Sequence, residues 1–297
     1  MKIIKNFLFV LLHLVIYLFF NISLGIILFL GSLIYLNFTK YGNGISDYKI
    51  NPNESFFNIA YTMVIENSLL ITLFASILSL IAFFLIHKLY KESLIKKCNF
   101  KKISLLNILF CISLGIFLNY FISIIIYFIE KSYDVSNVME EYEKLMDSVM
   151  GNTNLILSIL VIGILGPIFE EILLRGIIQN EINKNLNIYL SITIQALIFS
   201  IIHGNIVQSS YALILGLVIG FTYYISKSIW TPIIIHATIN LQSTVLSNKI
   251  VLELYSNIFD KIPYTELILF ITSLIASTLL GINLFRNNEF SIKARKL

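Results

Sequence analysis

The sequence predicts an all-α polytopic membrane protein, and three observations support that fold class. Hydrophobic residues make up 57% of the 297-residue chain, and the mean hydropathy is +0.85. Charged residues make up 13%, whereas an average soluble domain has about 25%. The apolar residues lie in continuous blocks, several of which exceed the roughly 18 residues that a membrane-spanning helix needs. Continuous blocks argue against a β-barrel, whose strands alternate apolar and polar residues.

Eight apolar segments are predicted as transmembrane helices, and they divide the chain into three parts. Residues 1–150 hold three helices with their loops, residues 151–248 hold four, and residues 249–297 hold the last helix and a basic tail. The predicted helices cover residues 7–36, 59–86, 103–129, 154–180, 188–203 and 211–225, a segment that begins near Pro232, and residues 265–285. The first segment is too long for the apolar core of a secretory signal, which has about 7–15 residues.

The charges between the helices predict the orientation of the chain. Segment 87–102 carries six lysines and one glutamate, whereas segment 130–152 is mainly acidic. Because cytoplasmic loops are enriched in Lys and Arg, we expect both termini in the cytoplasm. The frequent Ile, Asn and Lys residues are typical of an AT-rich bacterial genome, so the expected location is a bacterial cell membrane. The small net charge of +4 gives no reason to expect a nucleic-acid partner.

Three charged residues inside one apolar helix give the strongest functional signal. Glu170, Glu171 and Arg175 follow a long uncharged segment, and a charge at the bilayer centre costs at least about 2.5–3.5 kcal/mol. The spacing of four predicts that Glu171 pairs with Arg175 on one helical face. Glu170 is rotated by about 100° from its neighbour and can point elsewhere. The dipeptide Gly166-Pro167 predicts a kink just before the carboxylates.

Two further helices carry polar residues that lipid would reject. His203 ends one helix and lies four residues after Phe199, which is expected to form a wall beneath the imidazole. His236 and Asn240 lie one turn apart on another helix and therefore share a face. Polar side chains within membrane helices usually face the bundle interior, so the sequence predicts that these groups meet the charged helix there.

These residue types fit the attack of water on a carbonyl carbon. A glutamate in a partly dehydrated pocket can act as the general base. A histidine beside it can share the water, while a second histidine and an asparagine can donate to the developing oxyanion. Alternatively, Glu170, His203 and His236 could ligate Zn²⁺, which accepts such ligands and keeps one position for water. There is no HExxH motif, and the spacing leaves both schemes open.

Together, the polar groups resemble the three motifs of the CPBP family, also called the Abi family. This family contains CAAX prenyl proteases and bacteriocin-processing enzymes, which are intramembrane proteases. The matching residues, in the family's order, are Glu170-Glu171-x-x-x-Arg175, Phe199-x-x-x-His203 and His236-x-x-x-Asn240. The resemblance covers about residues 155–246, and the first three helices match nothing specific.

The resemblance implies an eight-helix protein with a catalytic cavity inside the membrane. In that scheme Glu170 and His203 activate the water, and His236 with Asn240 stabilises the oxyanion or completes a metal site. Glu171 and Arg175 would then shape the site. The expected substrate is a membrane-associated peptide or protein, processed as a CAAX protein, as a bacteriocin or leader peptide, or in self-immunity.

Two other classes of function remain open at the level of sequence. The same polar groups could form the path of an ion-coupled transporter, although no pair of matching broken helices marks two repeated halves. The chain could also be a non-catalytic membrane scaffold or immunity protein. The sequence does not determine the substrate, the oligomeric state or the role of the acidic segment.

Overall fold

A computed structural model of the chain describes residues 2–41, 55–150, 154–248 and 264–291, together with residues 251, 253, 255 and 256. Residues 42–54 of the predicted loop, most of residues 249–263, and the tail residues Lys293, Arg295 and Lys296 lie outside the described residues.

The described parts of the chain form helices and contain no strand, which confirms the all-α class. The helices are α1 (Lys2–Tyr41), α2 (Phe56–Glu66), α3 (Ser68–Leu89), α4 (Leu94–Cys98), α5 (Leu105–Ser132), α6 (Ser136–Met150), α7 (Leu155–Asn183), α8 (Ile188–Ile202), α9 (Ile206–Ser226), α10 (Trp230–Leu246) and α11 (Thr265–Arg286).

Among the described residues, six helices are long and apolar enough to cross a membrane: α1, α3, α5, α7, α9 and α11. This confirms a polytopic membrane protein, but it does not confirm the expected count of eight spans. Helix α8 has 15 residues, and a rise of about 1.5 Å per residue makes it about 22 Å long. The hydrocarbon core of a bilayer is about 30 Å thick. The predicted second helix is also divided, at Asn67, whose side-chain amide donates to the Met63 carbonyl at 2.8 Å.

Helix α7 carries the three charged residues and does not keep regular α-helical geometry. Two segments, Ile159–Leu165 and Ile172–Gln179, are π-helical, and a short α-helical segment, Gly166–Glu171, lies between them. The predicted kink at Gly166-Pro167 therefore takes the form of widened turns before and after the proline. Such π-helical turns are frequent at functional sites.

Helices α8 and α9 pack closely because α9 has glycines at positions 216 and 220. A Cβ at Gly216 would lie 2.9 Å from both Cα and Cβ of Ala196. At Gly220 it would lie 2.5 Å from the side-chain nitrogen of Gln195. Small residues four apart allow membrane helices to approach each other in this way.

The acidic segment forms helix α6, which lies over one end of the bundle. The Tyr142 hydroxyl on α6 is 3.3 Å from the Tyr211 hydroxyl on α9. Tyr142 and Met146 both line a cavity beneath the helix. Helix α6 is therefore part of the wall of that cavity.

We expect Gly216→Ala to lower the free energy of unfolding by about 1–3 kcal/mol, because the added methyl overpacks a well-packed contact. Unfolding in mixed micelles with increasing denaturing detergent measures this change. Gly31→Ala is the matched control, since nothing lies within 4 Å of a Cβ there. Alanine is preferred to glycine within a helix, so this control should be as stable as the parent or more stable. Equal stability of both variants would contradict the close contact.

Candidate active site

A cavity of about 380 Å³ lies within the bundle and is bounded by helices α5 to α10. Four of the predicted site residues line it: Glu170, His203, His236 and Asn240. They come from α7, the end of α8, and α10. The structure thus brings all three motifs to one place, as the sequence predicts, although the first and third motifs are more than 60 residues apart in the chain.

The two adjacent glutamates occupy opposite environments. The side chain of Glu170 is 30% exposed and faces the cavity, whereas that of Glu171 is completely buried. The expected ion pair is present: Arg175 Nη1 donates to Glu171 Oε1 at 2.7 Å. The structure therefore has the predicted arrangement: one carboxylate faces the cavity, and the other forms the ion pair.

The same oxygen of Glu171 also fixes His236. His236 Nδ1 lies 2.8 Å from Glu171 Oε1, and a carboxylate can only accept, so Nδ1 must carry the hydrogen. A neutral His236 then has a lone pair on Nε2. This atom is 3.8 Å from Glu170 Oε2, which is too far for a direct hydrogen bond. A water molecule between the two acceptors could donate one hydrogen to each.

Arg175 is fully buried and fixes the position of the Glu171 carboxylate. Its Nη2 donates to the Gly216 carbonyl of α9 at 3.3 Å, and its guanidinium carbon lies 5.2 Å from the centre of the Phe199 ring. A buried ion pair offsets its desolvation cost only if further hydrogen bonds satisfy the charged groups. The carbonyl of Gly216, which also accepts from Gln195 Nε2 at 2.8 Å, supplies one of these bonds.

His203 is held in the same tautomer by the backbone. Its Nδ1 lies 2.7 Å from the Phe199 carbonyl, and a carbonyl only accepts, so a neutral His203 also has its lone pair on Nε2. The Phe199 ring lies edge-on to both imidazoles, 4.7 Å from His203 and 5.6 Å from His236. Phe199 is therefore the expected wall, and it contacts both histidines and the arginine.

Asn240 is placed by the break in the α7 backbone. Its Nδ2 donates to the Ile162 carbonyl at 3.1 Å. In this π-helical segment the Gly166 N–H bonds to the Val161 carbonyl, so the Ile162 carbonyl would be matched with residue 167. Proline has no N–H, which leaves that carbonyl to the asparagine. The amide nitrogen has a second hydrogen, and Asn240 lines the cavity.

A second cavity, of about 180 Å³, meets the first at Glu170, Phe199 and His203. Its other lining residues are largely apolar: Tyr17, Phe169, Leu173, Leu174 and Ile202. It lies where α1 passes α7 and α8. The carboxylate of Glu170 is thus placed between a cavity with a mixed polar and apolar lining and a largely apolar recess.

Sequence reasoning missed the buried glutamines that support the site. Gln195 donates to the Gly216 carbonyl, and Gln179 Nε2 donates to the Gly220 carbonyl at 3.1 Å. The sequence does contain a pattern that indicates them. Gln179 lies four residues after Arg175, and Gln195 lies four residues before Phe199, so each shares a helical face with a site residue. In the sequence, only Pro167 indicates that the Ile162 carbonyl is left for a side-chain donor.

The residues present do not fit a three-ligand zinc centre. Among the residues that the structure describes, no three His, Cys, Asp or Glu side chains lie close enough together to hold a metal ion. The bonds at Nδ1 of His236 and His203 leave Nε2 of each ring free, so the misfit lies in the distances between the three side chains and not in the tautomers. The predicted ligands Glu170, His203 and His236 share the cavity but do not converge on one point. The zinc ion stays an untested prediction.

Comparison with known proteins supports the resemblance seen in the motifs. The family model of the Rce1-like type II CAAX prenyl endopeptidases matches residues 152–242. A Bacillus subtilis (strain 168) protein named "Putative membrane peptidase YdiL" is 34% identical over 84 residues, which are 28% of this chain. The match spans 34% of that relative, about a third of its length. No solved structure gives a significant match. Residues 152–242, which carry the three motifs and the buried ion pair, are therefore similar to the type II CAAX prenyl endopeptidases.

Proposed function

We propose that this chain is an intramembrane endopeptidase in which Glu170 activates water to hydrolyse a peptide bond. The observation that carries the proposal is the pair of acceptors in the cavity, Glu170 Oε2 and His236 Nε2, at 3.8 Å. A general base must reach the proton that it removes directly or through one water. The matches to the CAAX protease family and to a membrane peptidase support the same class of reaction.

In the proposed reaction the water donates one hydrogen to Glu170 and the other to Nε2 of His236. Glu170 takes the first proton as the oxygen attacks the carbonyl carbon. The free hydrogen of Asn240 Nδ2 stabilises the oxyanion, as side-chain amides do in other acyl-transfer enzymes. Glu170 then returns its proton to the leaving amine, and the C–N bond breaks.

The buried residues act by positioning. Glu171 keeps the hydrogen of His236 on Nδ1, and Arg175 holds the carboxylate of Glu171 in place. This differs from the scheme in which His236 donates to the oxyanion, because a neutral His236 can only accept at Nε2. His203 presents a second Nε2 acceptor, which suits the N–H of a bound peptide.

The cavity favours an internal peptide bond of a membrane-associated substrate. Apart from Glu170 and the histidines, its lining combines neutral polar residues with apolar ones, and among the described residues it contains no Lys or Arg. Removal of a C-terminal tripeptide would place a carboxylate within about 10 Å of the cleaved bond, since each residue spans at most about 3.3–3.6 Å. With no cationic side chain in the cavity, such a carboxylate would lack a partner there.

The alternative functions have less support from the geometry. An ion-coupled transporter needs a continuous polar path through the protein, but the buried polar side chains of Gln179 and Asn180 beyond the ion pair are bonded within the protein and lie among buried apolar residues. Leu173, Leu174, Ile177 and Ile178 are all buried at the level of Arg175 and beyond. A scaffold or immunity protein would not need Glu170 to face an open cavity. Activity measurements on variants of Glu170 separate both alternatives from the protease.

We expect Glu170→Gln to lower the rate of peptide cleavage by at least about a hundredfold, because general-base catalysis contributes about 10²–10⁴. The thermal midpoint should not change, since this half-exposed side chain is outside the buried ion pair. The rate is measured with purified protein in proteoliposomes. Glu143→Gln on the exposed face of α6 is the matched control and should retain full activity. Cleavage by Glu170→Gln at the parent rate would disprove the catalytic role.

We expect Arg175→Met to lower the free energy of unfolding by about 3–5 kcal/mol, because it leaves Glu171 as a buried, unpaired charge. The double variant Glu171→Gln/Arg175→Met removes both charges and should regain at least half of that loss. It should stay inactive, since His236 loses its ionised partner. Unfolding in mixed micelles gives the stabilities. Additive losses in the double variant would show that the two side chains do not act as a pair.

We expect cleavage to continue after treatment with a zinc chelator, because the described residues offer no three-ligand metal group. Elemental analysis of the purified protein should then show much less than one zinc per chain. A loss of activity that added Zn²⁺ restores would overturn the metal-free scheme and would leave the protease assignment intact.

A further inference from the structure

The geometry points to a site that opens on the extracytoplasmic face of the membrane, so that its substrate is an exported polypeptide or an outward-facing loop. This inference rests on the proposed function, because it identifies the substrate of the same site. It depends on three features: the charge at each end of the bundle, the end to which the cavity opens, and the packing that closes the other end.

The two ends of the bundle carry opposite charge. The basic end is the end at which α5, α8 and α10 begin, and contacts between Ser228 and the Lys101 carbonyl and between Ser291 and the Ile225 carbonyl hold its loops together. Its described charged residues are Lys5, Lys88, Lys91, Lys96, Lys97, Lys101, Lys102, Lys184, Lys227 and Arg286, with Glu92, Glu181 and Glu289. Basic residues therefore dominate this end.

The acidic end is the opposite end, at which α5, α8 and α10 finish and over which α6 lies. Its described charged residues are Glu66, Glu130, Asp134, Glu140, Glu141, Glu143, Asp147, Glu253 and Glu266, with Lys131 and Lys144. Because Lys and Arg collect on the cytoplasmic side of membrane proteins, the basic end faces the cytoplasm and the acidic end faces outward.

The larger cavity runs from the site toward the acidic end. Beyond Glu170 and His236, it is lined by residues in the last turns of α10, in the second half of α5, on α6 and near the start of α9. Representative members are Ser243, Ser123 and Tyr142. Along the axis of the bundle, all of these positions lie between Glu170 and the acidic end. A peptide therefore reaches the catalytic carboxylate from the side of α6.

Packing closes the path from the site to the basic end. Ile177, Ile219, Tyr223 and Ile235 are all 1% exposed or less and fill the space between Arg175 and the basic loops. The surface pocket at the basic end is lined by α4 and its neighbours, including Lys96, and shares no residue with the catalytic cavity. The site is thus separated from the basic end by a packed layer, in which the buried polar side chains of Gln179 and Asn180 are bonded to Gly220 and Tyr223.

These features define the class of substrate. A cytosolic protein modified at its C-terminus would meet the basic end and could not reach Glu170. A polypeptide on the outer face could enter below α6 and place an apolar side chain in the recess lined by Leu173 and Ile202. The substrate is accordingly an exported or outward-facing segment with an apolar residue beside the cleaved bond.

Labelling of single cysteines tests the orientation without any need for cleavage. Ser243→Cys lies in the cavity and Glu143→Cys lies on α6, while Lys101→Cys lies at the basic end. All three positions are exposed. The native Cys98 and Cys111 are buried, and burial raises the pKa of Cys98 to about 12, so the background should be low. A membrane-impermeant maleimide added to intact cells should label the first two variants at least tenfold more than Lys101→Cys. The reverse pattern would overturn the inference.

Cleavage in oriented vesicles then tests the side from which substrate enters. A water-soluble library of quenched fluorescent peptides is added to right-side-out and to inverted membrane vesicles that contain equal amounts of the chain. Cleavage should be at least tenfold faster in right-side-out vesicles and should vanish with Glu170→Gln. Faster cleavage in inverted vesicles would refute the inference and keep the protease. Outward labelling with no cleavage, in vesicles or in detergent, would instead count against the proposed function.

Discussion

The site depends on one carboxylate oxygen, Oε1 of Glu171. It accepts from Arg175 on its own helix and from His236 on α10, and Arg175 in turn donates to the Gly216 carbonyl on α9. Gln195 of α8 donates to that same carbonyl. A single buried charge thus links four helices. Because a buried carboxylate is costly unless it is paired and hydrogen-bonded, the helices can satisfy it in only a few relative positions. The interaction that stabilises the bundle also sets the tautomer of His236.

Backbone carbonyls provide many of the acceptors on which this arrangement depends. The glycines of α9 let α8 approach closely, so that side-chain amides reach the carbonyls of Gly216 and Gly220. The π-helical turns of α7, together with the missing N–H of Pro167, leave the Ile162 carbonyl for Asn240. Lipid offers no hydrogen bonds, so each such group must find a partner within the protein. Irregular backbone geometry here gives defined positions to polar side chains.

Adjacent residues with the same chemistry take different roles because of where the helix places them. Glu171 is fully buried and paired, whereas Glu170 faces the cavity, where its Oε2 lies 3.8 Å from His236 Nε2. We propose that this contrast separates positioning from catalysis in the reaction. In that proposal, the apolar recess on one side of Glu170 would hold an apolar part of the substrate, and the cavity of mixed lining on the other side would hold the peptide backbone.

The sequence by itself determined the all-α membrane class and the ion pair between Glu171 and Arg175. It also predicted that His203, His236 and Asn240 lie together with Glu170. Hydrophobic blocks and a spacing of four are local properties, and local sequence records them directly. The sequence did not predict the division at Asn67, the two π-helical segments or the glutamines beneath the site. Only the tertiary structure decided that six helices of the described part of the chain have the length of a span, which nitrogen of each histidine is free, and to which end the cavity opens. Each of these depends on contacts between helices that are distant in sequence, such as His236 with Glu171 and Asn240 with Ile162. No local pattern of residues encodes such distances.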